Sequence, residues 1–303
     1  MGNILGQSVE IIEVSPRDGI QNESTVLPTP VKLDLINRAL RAGVRALEVT
    51  SFVNPKLVPQ MADADELSAL LPARDDVRFI GLVLNQRGFQ RAANAQLGDI
   101  NCVVVATETF NKRNQGVSVA QTLTDLEAIS RLAADAEIGF GVTIAASFGC
   151  PFEGEVSVAR VTELASRLLS LSPRELALAD TIGAGAPGEV RAKISAVRRI
   201  AGDIPLRCHF HNTRNTGIAN ALAAIEAGVA RIDSSIGGIG GCPFAPAATG
   251  NIATEDLVYM LERMDIETGL DIATLIETAH WLGNQLGSAP PGMLQRAGMF
   301  PPA

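Results

Sequence analysis

His209 and His211, in the run Arg207-Cys208-His209-Phe210-His211-Asn212, are the residues whose type and spacing most suggest chemistry. Alternate residues of a β-strand project to one face. If residues 204–211 are extended, both imidazoles can therefore reach one metal ion. The chain holds three histidines, and two of them sit in this tripeptide. Alone, a His-x-His fits equally well two rings that meet solvent at a strand end, so the neighbours decide. Asp18, in Arg17-Asp18-Gly19, would complete two imidazoles and a carboxylate. That set suits a divalent cation with open positions, and the oxygen donor favours Mg²⁺ or Mn²⁺ over structural zinc. Asp18 also reads as a simple turn residue. Asn251 offers a further neutral oxygen, or a side chain that only stabilises a loop.

Other polar residues interrupt apolar runs. Glu48 lies in Ala46-Leu47-Glu48-Val49, where a buried carboxylate is costly unless paired. Arg17 is the natural partner, for structure or for function. Asp180 follows Leu176-Ala177-Leu178-Ala179 and is placed to hold or relay a proton. The glycine-dense run Gly237-Gly238-Ile239-Gly240-Gly241-Cys242-Pro243 suits tight turns or phosphate approach. It also carries Cys242, and a thiol on a glycine-rich loop suggests a gate that delivers an acid or base on closing. Cys102 lies within an apolar strand and Cys208 at the edge of one, where burial is the default. Cys150 sits at a strand end and is the lesser rival to Cys242.

These residues need a scaffold that brings distant positions together. Strand patterns at 8–14, 44–49, 77–84, 99–106, 139–147, 175–179, 204–211 and 231–236 alternate with helical patterns. The helices are expected at 29–42, 62–71, 87–96, 118–135, 157–170, 187–200 and 216–227, with Thr29 as an N-cap and Pro30 at the first helical position. Eight βα units of about thirty residues fit one closed α/β barrel, the (β/α)8 or TIM-barrel class. An open doubly wound sheet is the alternative, but the first βα turn, Ser15-Pro16-Arg17-Asp18-Gly19, lacks the dinucleotide fingerprint. No Ser/Gly-rich tract or charge block divides the chain, so residues 1–303 read as one domain. Two further helices, near 254–263 and 271–286, and a Pro/Gly-rich tail make 254–303 a C-terminal helical cap. Arg17, Asp18, Glu48, Asp180, both histidines and the run 237–251 all fall where strands end. A barrel of this type opens the C-terminal ends of its strands onto one mouth.

Composition narrows the partners. A formal charge of −8 argues against nucleic acid, although local cations can still hold an anionic small molecule. No apolar run reaches the roughly 18 residues needed to span a bilayer. The first strand pattern begins too early to leave room for a targeting peptide, so a cytoplasmic protein without a membrane segment is expected. The four cysteines are far apart and show no CxxC, which does not suit a disulfide framework.

Several segments resemble those of 3-hydroxy-3-methylglutaryl-CoA lyases. They are Ser15-Pro16-Arg17-Asp18-Gly19-Ile20-Gln21-Asn22-Glu23, Glu48-Val49-Thr50-Ser51-Phe52-Val53, Ala145-Ala146-Ser147-Phe148-Gly149-Cys150-Pro151 and Asp180-Thr181-Ile182-Gly183. The most specific match runs from Asp233-Ser234-Ser235 through Gly240-Gly241-Cys242-Pro243 to Gly250-Asn251-Ile252-Ala253-Thr254-Glu255-Asp256. The resemblance covers essentially the whole chain. It implies a cation site of Asp18, His209, His211 and Asn251, an enolate-stabilising Arg17, a loop thiol at Cys242, and polar partners for proton movement at Glu48 and Asp180. It also implies supporting roles for Gln21 and Glu255, an acyl-CoA substrate and a homodimer. Lys112 and Arg113, after the fourth strand, are candidates for the CoA phosphates. The implied reaction is retro-Claisen cleavage to acetyl-CoA and acetoacetate, with His209 or Asp180 as base. One stretch departs: the family usually has His-Cys-His-Asp-Thr-Tyr-Gly-Gln, whereas this chain has His209-Phe210-His211-Asn212-Thr213-Arg214-Asn215-Thr216. Asn212 removes a carboxylate, and Arg214 adds a guanidinium that could pair with a substrate carboxylate. The closest alternative substrate is citramalyl-CoA, which would yield pyruvate; the same site run in reverse would be an acetyl-CoA/2-oxo acid condensing enzyme.

Overall fold

A computed structural model of the chain describes residues 8–241 and 250–301. Its strands are β1 (Glu10–Glu13), β2 (Ala46–Ser51), β3 (Arg78–Val83), β4 (Asp99–Val105), β5 (Gly139–Ala145), β6 (Glu175–Asp180), β7 (Leu206–Phe210) and β8 (Arg231–Ser234). They pair in sequence order, all parallel, and β1 closes on β8. The expected (β/α)8 barrel is thus the observed fold. Each strand is short and largely buried, as parallel strands under helices must be.

The helices between strands are α1 (Thr29–Arg41), α2 (Ala64–Ala69), α3 (Gln86–Asn94), α4 (Glu108–Gln115), α5 (Val119–Asp135), α6 (Val158–Leu169), α7 (Pro187–Ala201) and α8 (Gly217–Glu226). Each turns one stripe inward; α6, for example, buries Val161, Leu164, Ala165 and Leu168, the spacing of a helix face against a sheet. Ser118 and Ser157 cap α5 and α6, accepting the amides of Gln121 and Arg160. α9 (Thr254–Glu262), α10 (Ile272–Leu286) and the short α11 (Leu294–Ala297) follow β8. α10 packs against α1, α9 and the turn Ile236–Gly238, across the β8–β1 side of the barrel.

Three local features differ from expectation. Pro28, not Thr29, stands at the N-cap of α1, because the Thr29 hydroxyl donates to Asp63 Oδ2 at 2.9 Å instead of capping. α4 forms where no helix was expected. Its apolar periodicity is poor, but Asn111 anchors it from within: Oδ1 accepts the Val105 amide while Nδ2 donates to Val117 O and Thr122 Oγ1. The first βα connection is a single π-helical turn, Ser15–Gly19, a form that recurs at functional sites.

The barrel interior is unusual. Small parallel barrels are ordinarily filled by layers of branched apolar side chains. Here Ile12, Val14, Ala46 and Ile80 form a small apolar cluster of their own, and much of the remaining interior is polar: Glu48, Asn101, Thr143, Glu175, Arg207 and Asp233 are all buried. Among the described residues no helix is long and apolar enough to cross a membrane.

Candidate active site and metal centre

Main-chain pairing assembles the site. His209 lies on β7 directly opposite Asp233 of β8. His211, one residue past the strand, forms an isolated antiparallel bridge with Asn251, locked by the Ile252 amide donating to Phe210 O and the Asn212 amide to Gly250 O. The π-helical turn after β1 delivers Arg17 and Asp18 to the same end of the barrel. A register shift between Glu48 and Thr50 interrupts the pairing of β2 with β3; such bulges re-aim side chains.

Asp18, His209 and His211 each bring a ligand atom within 4.8 Å of the others. Nε2 of His209 lies 3.8 Å from Asp18 Oδ2, and Nε2 of His211 lies 4.0 Å from it. Those distances are too long for hydrogen bonds and suit three atoms gathered around a fourth. Asn251 donates from Nδ2 to Asp18 Oδ2 (2.9 Å) and to Ile239 O (3.0 Å), and its buried Oδ1 has no hydrogen-bond partner among the described residues. Two imidazole nitrogens, a carboxylate and an amide oxygen fit a divalent cation. Burial pushes the Asp18 carboxyl up, but the Arg17 guanidinium and the two imidazoles outweigh it and hold the group well below the usual carboxylate range. Burial, reinforced by His209, lowers His211 to about 4, so its ring is neutral and able to ligate near pH 7.

Arg17 and Glu48 pair as expected. Arg17 donates from Nε (3.2 Å) and Nη2 (2.5 Å) to Glu48 Oε2, and from Nη1 to Asp18 Oδ1 (2.6 Å). Glu48 Oε1 accepts from Asn101, whose Oδ1 in turn accepts from Thr143. Arg17 is thereby held at the edge of the candidate ligand cluster. Asp180 is fully buried and accepts the amides of Ala184 (2.9 Å) and Gly185 (3.0 Å), one on each oxygen. Burial raises its pKa and those amides oppose the rise. Gln21 sits three residues beyond Asp18, its Oε1 buried and without a partner among the described residues. Cys242 lies outside the described residues, but the stem before it is anchored: Asn22 Nδ2 donates to Gly241 O at 2.6 Å. Glu255 accepts the Gly237 amide at 3.0 Å, and burial pushes its carboxyl up to about 8.

Other cysteines and cations fall elsewhere. Burial raises the Cys102 and Cys208 thiols, and Cys208 lies mid-strand in β7 rather than at an edge. Cys150 accepts hydrogen bonds from the Thr107 hydroxyl and the Phe152 and Glu153 amides. Lys112 and Arg113 lie on α4, Lys112 paired with Glu108 at 3.1 Å and Arg113 stacked over Phe152. The two departures in the His-x-His run are absorbed by the scaffold. Asn212 Oδ1 accepts the first amide of α8, from Gly217, a task the family's aspartate could perform equally. Arg214 donates from Nη1 to the carbonyls of Ile182 (3.0 Å) and Gly183 (2.8 Å), which ties the loops after β6 and β7 together.

Sequence reasoning missed the buried residues beneath the candidate ligand cluster: Arg207, Asp233 and Glu175. Asp233 Oδ2 lies 3.1 Å from His209 Nδ1, and Arg207 grips both Asp233 oxygens and Glu175. The signal was present, since Arg207 is two residues before His209 and shares its face.

Comparisons with known proteins identify the family. The HMGL-like family model matches residues 8–282. The chain is 41% identical to (R)-citramalyl-CoA lyase of Chloroflexus aurantiacus, over 96% of this chain and 95% of that one. It is 39% identical to human mitochondrial hydroxymethylglutaryl-CoA lyase, over 92% and 86%. The structure of an HMG-CoA lyase from Acinetobacter baumannii, in complex with coenzyme A and 3-methylmalate, matches with a TM-score of 0.94 at 39% identity, covering 98% of this chain and 97% of that one. The chain therefore belongs to the HMGL-like family and is an enzyme of the lyase class on a closed parallel barrel.

Proposed function

We propose that the chain is a Mg²⁺- or Mn²⁺-dependent carbon–carbon lyase that cleaves 3-hydroxy-3-methylglutaryl-CoA to acetyl-CoA and acetoacetate. The observation that carries this reading is the gathering of Asp18, His209, His211 and Asn251 beside the Arg17–Glu48 pair. When bound there, a divalent ion supplies Lewis acidity to the substrate hydroxyl. Asp18, the two imidazoles and Asn251 Oδ1 hold it. Both ring nitrogens of His209 are then committed, Nδ1 to Asp233 and Nε2 toward the cation, so proton removal is assigned to Asp180. Burial makes Asp180 the better acceptor, and each of its oxygens keeps a lone pair beyond its one amide. As the hydroxyl proton leaves, the bond between the carbinol carbon and C2 breaks, and its electron pair moves onto the thioester as an enolate. Arg17 stabilises the enolate oxygen, and Cys242 is assigned the proton delivered to C2. In the same reading residues 1–303 are one barrel domain with 254–303 as its cap, since α10 packs on the barrel's own helix α1.

A second substrate is favoured by a specific observation, the 41% identity to a citramalyl-CoA lyase. Citramalyl-CoA lacks one methylene between carboxylate and carbinol carbon, and such a difference is worth about 1–3 kcal/mol of discrimination. The deciding experiment measures kcat/KM on both thioesters with Mg²⁺ or Mn²⁺ and a thiol reductant. Acetyl-CoA release with the glutaryl substrate preferred supports the first reading, and preference for citramalyl-CoA moves the assignment to the second. Release of acetyl-CoA from neither sinks both. Initial rates in the condensing direction separate a synthase from a lyase.

A further inference from the structure

The buried charges under the metal cluster are not used by the reaction just described. Arg207 is 1% exposed and among the largest fully buried side chains. Filling the same volume with apolar groups is often as stable as a buried ion pair, so cohesion alone does not account for an arginine here. Its contacts are directional. Nε and Nη2 fork onto the two oxygens of Asp233, the Nη2 bond measuring 2.8 Å. Nη1 donates to Glu175 Oε1 at 3.0 Å, and Nη2 stands 3.9 Å from Glu48 Oε2. A planar guanidinium held from three sides fixes the plane of the carboxylate it grips. Asp233 Oδ2, one of the two gripped oxygens, is also the atom that faces His209 Nδ1 at 3.1 Å.

We propose that Arg207 is a positioning residue for the metal centre, its fork on Asp233 fixing the one acceptor that keeps the proton of His209 on Nδ1 and leaves the Nε2 lone pair facing Asp18. A second partner of this kind sets the tautomer and ring orientation of a ligating histidine. Strand register supplies the alignment: His209 pairs with Asp233 across β7 and β8, while Arg207 shares the inward face of β7 with His209. Without the fork, the carboxylate rotates freely and the ring can turn over, presenting a protonated nitrogen where a ligand is required. The inference rests on the divalent-cation reading above.

The test uses Arg207→Met and Arg207→Lys in the full chain. In the metal-free protein, at a pH high enough for the ring to be neutral, ¹⁵N chemical shifts report the tautomer of His209, and with three histidines in the chain the assignment is tractable. The wild type is expected to hold Nδ1–H, and Arg207→Met a mixture of tautomers. Mn²⁺ affinity, followed by the electron paramagnetic resonance of free Mn²⁺, is expected to fall about 10–100-fold in Arg207→Met. Arg207→Lys keeps the charge without the fork and should fall between. Asp233→Asn should lose at least as much, and the double variant with Arg207→Met no more than Asp233→Asn alone. An Arg207→Met protein that melts earlier but keeps the tautomer and the Mn²⁺ affinity overturns the proposal, leaving Arg207 as a brace. If Arg207→Met does not fold, an unchanged tautomer and affinity in Arg207→Lys overturns it equally. A wild type that binds no Mn²⁺ would sink the metal reading instead, and the metal-free tautomer would still decide the role of Arg207.

Discussion

The two ends of the barrel interior are both rich in buried polar side chains, yet they satisfy them differently. At the base, Glu10 and Glu175 alternate with Arg78 and Arg231: Arg231 bonds Glu10 at 2.7 Å and Glu175 at 2.9 Å, and Arg78 lies 3.4 Å and 3.5 Å from the same two residues. Each ion there meets opposite charge within the protein. At the mouth, His211 Nδ1, Asn251 Oδ1 and Gln21 Oε1 are buried without hydrogen-bond partners among the described residues. Buried polar groups are ordinarily satisfied, so the contrast distinguishes an end built for cohesion from one built to receive something. Arg207 and Glu175 join the two, since Glu175 accepts from Arg231 below and from Arg207 above.

The contrast can be broken most sharply at His211. His211→Ala is expected to lose more than ~10²-fold in kcat/KM, beyond the range for losing a mere supporting partner, while the metal-free Tm moves by no more than a few degrees. Full activity in this variant would remove the ligand role. Arg17→Gln comes next, with kcat expected to fall about 10²–10³-fold, the effect of deleting one preorganised donor; rapid-quench kinetics would show the chemical step slowed. The base should behave in reverse. Arg231→Met is expected to cost about 1.5–3 kcal/mol in denaturant unfolding with kcat within about twofold of wild type. A large kcat loss there would erase the distinction between the ends.

A smaller effect sharpens the picture behind the glycine-rich loop. Because burial raises Glu255 to about 8, the folded state keeps a proton on it that the unfolded chain has released above the ordinary carboxylate value. Its contribution to stability is therefore present at low pH and lost as pH rises through about 8. Glu255→Gln should match wild type near pH 5 and melt progressively higher than wild type toward pH 9; a constant Tm difference across that range would refute the raised value. The smallest expected effect is at the rim. Lys112→Ala with Arg113→Ala should raise KM for the CoA thioester a few-fold and leave kcat alone, as exposed cations screened by salt allow.

Much of the barrel was legible because strand and helix periods differ and βα units repeat. The residues with unmistakable chemistry, the paired histidines and the acid after the first strand, stood at strand ends, where such a barrel gathers them. The buried scaffold was harder to see. Arg207 and Glu175 look like ordinary surface charges beside Pro173 and Pro205 until the closed barrel turns them inward. α4 was hidden because Asn111 and Glu108, through tertiary hydrogen bonds, do what apolar spacing does elsewhere. For Arg214 the sequence shows only an added cation, and not that its Nη1 meets two main-chain carbonyls.

The ionic ring at the base has a consequence for heat. The hydration of charged groups becomes less favourable as temperature rises, so the cost of keeping them from water falls while apolar cohesion levels off. The floor of this barrel is thus the part of the interior whose attraction weakens least on warming.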